Sequence, residues 1–294
     1  MMEWPMLKKN RILNNLFSLL IILFSLSCAL NAQENQGPLG QYSIAPGEVR
    51  WIEFSVNTDD AKLICRGSEV KYVKKNKKGY AFIIESYFSD LSSFHCNVTE
   101  NEKIIQKISF SVIDKPYKAE KLKVDPKKIK LAPDDEMRVA KEQVVLNKIY
   151  KSSIPDFLFT ESFGQPMDSL ITSVYGTKRV YNKQKKGQHL GIDFRAAIGD
   201  KVPAANAGKI VFSGDLFYTG WTVIIDHGLD IFTVYGHLSK TLVSDGDIVK
   251  KGDLIGLSGN TGRTSGPHLH WGTKIQGQYI DGQVLIEESK KYFK

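Results

Sequence analysis

Cysteine is scarce in this chain: three in 294 residues, Cys28, Cys65 and Cys96. None stands in the close spacing of a thiolate metal site, which excludes a cysteine-ligated metal centre. Long helical patterns are missing from Met167 onward, which excludes a helical bundle there. Extended apolar runs are missing too. The longest, Leu16 to Leu30, is short for a membrane span. Histidine is limited to six residues, so any that gather in one motif carry weight. What remains is ordinary for a globular protein, with 42% hydrophobic and 24% charged residues. The length suggests two domains. The net charge of +8 speaks to solubility and anionic partners rather than to fold.

Residues 1–32 read as a secretory signal peptide. Lys8, Lys9 and Arg11 form a basic start, the apolar run follows, and Leu30-Asn31-Ala32 makes a small-residue cleavage site. The expectation is an exported protein, periplasmic or extracellular. Left uncleaved, the same segment would be a membrane anchor. Lipidation at Cys28 is disfavoured, because Ser25-Leu26-Ser27 places the leucine one position away from the usual lipobox. In an oxidising compartment the remaining pair, Cys65 and Cys96, is expected to form a disulfide worth about 3 kcal/mol.

Residues 39–114 read as a small β-sandwich-like domain. Strand-like runs at Val49–Val56, Ala61–Cys65, Val70–Val73, Tyr80–Tyr87, Phe94–Val98 and Ile104–Ile113 are separated by Gly, Asn, Asp and Ser clusters. His95 is a lone histidine with no partners for chemistry, so this domain is expected to bind other envelope proteins, position or cover. Residues 115–155 form a basic connector that turns helical after Pro133, with acidic residues 134–136 at its start and Lys148 and Lys151 at its end. Its apolar positions make no clean stripe, which predicts a solvated helix.

The C-terminal part, 160–290, is dense in short strands and glycine turns and is predicted to be all-β, barrel-like or two-sheeted. It holds the stretch TGRTSGPHLHWG, Thr261 to Gly272. Alternation along a strand puts His268 and His270 on one face, roughly 6–7 Å apart. His189 precedes Asp193 by four residues. On a straight strand that spacing covers about 13 Å, too far to share an ion, so Gly191 is expected to supply a sharp bend. His237 ends an apolar strand, and His227 reads as an exposed turn histidine with a structural role.

Taken together, these motifs are similar to one family. Residues 167–282 resemble the M23 metallopeptidases, the lysostaphin/LytM-like zinc endopeptidases that cut cell-wall peptidoglycan. GTKR at 176–179, VPAANAGKIVFSG at 202–214, VIIDHG at 223–228, VYGHLSK at 234–240 and DIVKKGDLIGLSGNTGRTSGPHLHW at 247–271 stand in the family's order. One departure is Asp281-Gly282, where family members often have Asp-Pro. The resemblance implies an antiparallel β-sheet or split-barrel metallopeptidase domain. It also implies one Zn²⁺ per chain held by His189, Asp193 and His270, with His237 and His268 as the catalytic pair. Two imidazoles and a carboxylate suit tetrahedral zinc with a fourth position open. No HExxH glutamate is present to move the proton, so a histidine must. Arg179 and Tyr235 are candidate substrate-binding residues in the groove.

Peptidoglycan is therefore the expected partner of a monomer, and nucleic acid conflicts with export. A non-catalytic cell-wall binding or activator protein on the same fold is the rival, although no metal or catalytic position is missing. VKKGDLIG resembles the hairpin of biotinyl and lipoyl carrier domains, but no Met-Lys attachment site exists in 167–294.

Overall fold

The computed structural model describes residues 40–122, 131–181 and 185–293. The expected leader and cleavage site lie outside them. Among the described residues no helix is long and apolar enough to cross a membrane. The protein is mainly β with antiparallel sheets.

The first strands form two facing sheets. One has five strands, in the order Gln41–Ile44, Lys103–Val112, Phe94–Glu100, Lys62–Cys65 and Ser68–Val70. The other has three, in the order Val49–Ser55, Lys78–Ile84 and Val73–Lys75. Strand alternation turns Ile52, Phe54, Ala81 and Ile83 inward against Leu63, Val98, Ile108 and Phe110, closing a core between the sheets. The run expected from Val70 to Val73 is divided between the two sheets. Gln41–Ile44 pairs in parallel with Lys103–Val112, a strand that the composition did not announce. Cys65 and Cys96 are direct cross-strand neighbours, joined by a disulfide.

The three-stranded sheet is covered on its second face as well. Val49 and Phe82 join the C-terminal core, with Trp51 packed against it. The Trp51 ring lies 4.6 Å from that of Tyr292, and its backbone N–H donates to Glu288 Oε2 at 2.9 Å. The partial burial of this ring helps hold the outer face of the sheet against the last helix, Gly282–Lys290.

In the connector, the helix Pro133–Ile149 starts with proline in its first turn and Asp134, Asp135 and Glu136 beside it, as expected, and none of its residues is buried. Glu142 accepts from the backbone N–H of Phe217. A short strand, Ala119–Leu122, pairs in parallel with Lys178–Tyr181, which pairs on its other side with Lys185–Gln188.

The C-terminal sheet has ten strands. Its path runs Ile171–Ser173, Ile192–Arg195, His268–Ile275, Ile231–Thr241, Gly220–Asp226, Gly208–Leu216 and Ile248–Val249. Leu254–Ser258 pairs with both Lys201–Pro203 and the far end of Ile231–Thr241, and Gln278–Ile280 pairs with His268–Ile275. The sheet is open. Among the described residues no closed barrel is found. Ile192, Phe194, Ile231, Tyr235, Leu238, Leu269 and Trp271 fill its core, leaving the alternate positions of the same strands for chemistry.

Candidate metal centre

The alternation His-Leu-His-Trp sorts four side chains onto two faces. Leu269 and Trp271 are fully buried in the core, so His268 and His270 project from the opposite face. The neighbouring strand does the same: Ile192 and Phe194 point into the core, and Asp193 points with the histidines. Antiparallel register places Asp193 directly across from His270. His189 enters from the segment just before that strand.

Three ligand atoms converge there. Asp193 Oδ1 lies 2.9 Å from His189 Nε2 and 2.9 Å from His270 Nδ1, and the two nitrogens are 3.2 Å apart. Tetrahedral zinc with 2.0–2.1 Å bonds spaces its ligands by ~3.3 Å, close to this triangle. The hydrogen-bond partners of His189 point the same way. Its Nδ1 is 3.2 Å from the carbonyl of Val174 and 3.1 Å from Ser173 Oγ. A carbonyl only accepts, so Nδ1 carries the proton and Nε2 turns a lone pair toward Asp193. Lone pairs gathered around a carboxylate oxygen repel one another unless a cation lies among them, and two nitrogens with one oxygen suit Zn²⁺. The donor set fits the metal.

The chain bends at Gly191 as expected, and His189 folds back to within 2.9 Å of Asp193, without a left-handed φ at the glycine. A Cβ there would stand 2.4 Å from His270 Cε1 and 2.7 Å from its Nε2. Glycine at 191 makes room for the His270 ring.

His237 reaches the same face through a β-bulge. Trp221 pairs with Leu238 and Val223 with Tyr235, so Ile231–Thr241 carries one extra residue at this point. His237 takes it up with a left-handed φ of 61°, uncommon outside glycine and frequent at functional sites. Its Nδ1–H donates to the carbonyl of Thr261 at 2.8 Å, leaving Nε2 free. His268 is held alike, with Nδ1–H donating to the carbonyl of Gly266 at 2.8 Å. Its Nε2 lies 3.6 Å from Asp193 Oδ1, and its ring is 4.7 Å from that of His237. Burial, with His270 nearby, pushes His237 down to about 4, which keeps it neutral at pH 7.

Two expectations need correction. Tyr235 does not line a groove: it is fully buried, its hydroxyl accepts from the backbone N–H of Ala205 at 2.8 Å, and Thr233 Oγ1 lies 3.1 Å away. The bulge after it turns the next residues outward and leaves Tyr235 in the core. His227 is not an exposed turn histidine. It is fully buried, with Nδ1–H donating to the carbonyl of Ala207 at 2.7 Å and Nε2 at 2.7 Å from Thr233 Oγ1. Arg179 turns toward the His–Asp–His donor set, with Nη2 2.9 Å from Ser173 Oγ and 3.5 Å from Asp193 Oδ2. His95 stays apart, 3.1 Å from Ser109 Oγ. Ser173, Val174, Thr261 and Gly266 orient the histidines; Thr261 and Gly266 fall within the stretch TGRTSGPHLHWG, but no sequence pattern gave any of the four that role. Three of them do so through backbone carbonyls, which every residue has.

An open antiparallel sheet that gathers a His–Asp–His donor set on one face, with two further imidazoles beside it, defines a β-sheet metal-site domain. Residues 187–282 match Peptidase family M23, and the chain carries an M23 peptidase domain there. It is 40% identical over 119 residues to the peptidoglycan DD-endopeptidase ShyA of Vibrio cholerae, covering 40% of this chain and 28% of that protein. It is 41% identical over 93 residues to the DD-carboxypeptidase/endopeptidase Mpg of Neisseria meningitidis, covering 32% and 21%. The chain thus spans under a third of the length of these relatives. A crystal structure assigned to peptidase M23 from Pseudomonas aeruginosa superposes with a TM-score of 0.67 at 24% identity, covering 83% of this chain and 95% of that one. That match extends the shared fold well beyond the M23 segment.

Proposed function

We propose that this protein is an exported zinc-dependent endopeptidase that hydrolyses peptide bonds in peptidoglycan stem peptides or cross-bridges. The observation that carries the proposal is the convergence of His189, Asp193, His237, His268 and His270 on one face of the sheet. His189, Asp193 and His270 hold one Zn²⁺ per chain. Bound there, zinc supplies Lewis-acid polarisation of the scissile carbonyl and activation of water near neutral pH. His268 accepts the proton of the attacking water at Nε2, its other nitrogen being tied to Gly266. His237, neutral with its Nδ1–H on the carbonyl of Thr261, offers Nε2 as a second proton acceptor beside His268, and donates to the developing oxyanion once that nitrogen has taken up a proton. The names of the Vibrio and Neisseria relatives support a D,D cross-link as the bond cut. The basic connector suits an anionic wall polymer. Export rests on residues 1–32, with cleavage after Ala32 giving a protein that starts at Gln33. The strands of 39–114 serve as a positioning or envelope-protein-binding domain ahead of the connector 115–155 and the peptidase domain 160–290, in a monomer.

Digestion of purified sacculi tests the proposal, with released muropeptides identified by mass. Zinc-loaded protein is expected to convert cross-linked dimers to monomers, and chelated protein to leave them intact. Zinc-loaded, folded protein that releases nothing would overturn the enzymatic reading in favour of a wall-binding protein.

A further inference from the structure

Arg179 lies outside the donor set but contacts one of its members, Asp193, and the hydroxyl of Ser173 that contacts another, His189. It sits on Lys178–Tyr181, between Ala119–Leu122 and Lys185–Gln188. Its side chain is 22% exposed, so most of it is withdrawn from solvent. One nitrogen, Nη2, reaches both Ser173 Oγ at 2.9 Å and Asp193 Oδ2 at 3.5 Å. Asp193 therefore divides its oxygens: Oδ1 faces His189 and His270, and Oδ2 faces the guanidinium. Ser173 Oγ, accepting from Arg179, lies 3.1 Å from His189 Nδ1. A single cation thus bears on the carboxylate ligand directly and on an imidazole ligand through one hydroxyl.

The far side of Arg179 meets the connector. Glu120 is its register partner on Ala119–Leu122, and Glu120 Oε2 lies 3.8 Å from Nε. That nitrogen is buried without a hydrogen bond, so the carboxylate of Glu120 is the opposing charge that balances the guanidinium on this side.

We infer that Arg179 is a positioning residue for the metal site, which fixes Asp193 as a one-oxygen ligand and orients His189, and that Glu120 of the connector orients Arg179 in turn. The inference rests on the zinc reading above, and it replaces the substrate-groove role expected for Arg179. The rigid guanidinium presents Nη2 to Ser173 and Asp193 while its Nε faces Glu120, a two-sided arrangement that a single compact ammonium does not reproduce. Partners of this kind orient ligands and typically change metal affinity 10–100-fold when lost.

The test uses the full chain and zinc alone, with affinity measured by chelator competition, followed by kinetics on sacculi. Arg179→Ala is expected to weaken zinc binding 10–100-fold. Activity lost at limiting zinc should return substantially at saturating zinc, with KM unchanged. Arg179→Lys should recover part of the affinity, and Glu120→Gln should show a smaller loss of the same kind. Near-wild-type zinc affinity in Arg179→Ala, with a raised KM, would overturn the inference and restore the substrate-binding role. If Arg179→Ala does not fold, Arg179→Lys and Glu120→Gln decide: wild-type zinc affinity in both overturns it. A wild-type protein that binds no zinc would instead defeat the zinc reading itself, so the two failures are distinguishable.

Discussion

Asp193 and His270 face each other across two antiparallel strands, with 2.9 Å between Oδ1 and Nδ1. A cross-strand pair is the tightest coupling a sheet provides between side chains distant in sequence. It makes the His–Asp–His donor set depend on register, and register depends on Leu269, Trp271, Ile192 and Phe194 on the buried side.

The space beside this pair is a sensitive point. A Cβ on residue 191 would meet the His270 ring at 2.4 Å from Cε1, so Gly191→Ala must displace a ligand rather than a neighbouring methyl group. Zinc affinity measured by chelator competition is expected to fall at least tenfold, while the melting temperature without metal changes little. Unchanged affinity would mean that the ring has another position from which to ligate.

Much of this site was legible before the structure. The HLHW alternation reveals which face is buried, because its large apolar members are Leu269 and Trp271. His237 was legible only by resemblance. One extra residue in a strand leaves no trace in Tyr-Gly-His-Leu, and simple alternation would have sent the ring into the core. Tyr235 was misjudged for the same reason. The strand Ala119–Leu122 was hidden because AEKL has the composition of a solvated linker, and its pairing depends on an edge supplied from Lys178–Tyr181. His227 shows the limit of composition: a histidine beside a glycine turn looks exposed until Phe163 is found packed on it at 4.9 Å.

The disulfide leads to a stability prediction. Cys65 and Cys96 are 31 residues apart, and closing a loop of that size is worth about 3–4 kcal/mol in the chain-entropy account. Denaturant unfolding of the Cys65→Ser, Cys96→Ser double variant should show a loss of this order. Unreduced wild-type protein should present no alkylatable thiol at either position, and two reactive thiols would refute the bond.

His227 makes folding pH-dependent. Complete burial, only partly offset by its hydrogen bond to Ala207, pushes the ring down to about 4, against about 6.5 in an unfolded chain. Between those values the unfolded chain binds the proton and the folded protein does not, so stability rises with pH. The contribution is complete above about pH 6.5 and is lost as pH falls toward 4, at up to ~3 kcal/mol. His227→Gln, which keeps a donor and an acceptor, should flatten the slope between pH 4.5 and 6.5 in denaturant titrations. A slope equal to wild type would show that His227 is not the group responsible.

The last prediction separates chemistry from metal binding. His237 and His268 each use Nδ1–H to hold a backbone carbonyl, Thr261 and Gly266, and each leaves Nε2 to the cleft. Neither belongs to the converging triad of His189, Asp193 and His270. Replacing either with alanine should therefore leave zinc content near one per chain. Hydrolysis of sacculi should nevertheless fall by roughly 10² or more, the scale of losing a general base or an oxyanion donor. His189→Ala should differ in kind, losing zinc and activity together. Alanine keeps the Cβ that makes the left-handed φ of His237 costly, and each replacement loses one hydrogen bond to a backbone carbonyl, so a small fall in melting temperature is expected in both variants. His227→Ala is unsuitable as a neutral control, because it strips two buried hydrogen bonds, and His95→Ala takes that place. Metal analysis and muropeptide release on the same preparations read both quantities at once. Zinc lost from His268→Ala would mean that the two histidines of HLH exchange roles, and full activity in both His237→Ala and His268→Ala would remove the catalytic assignment.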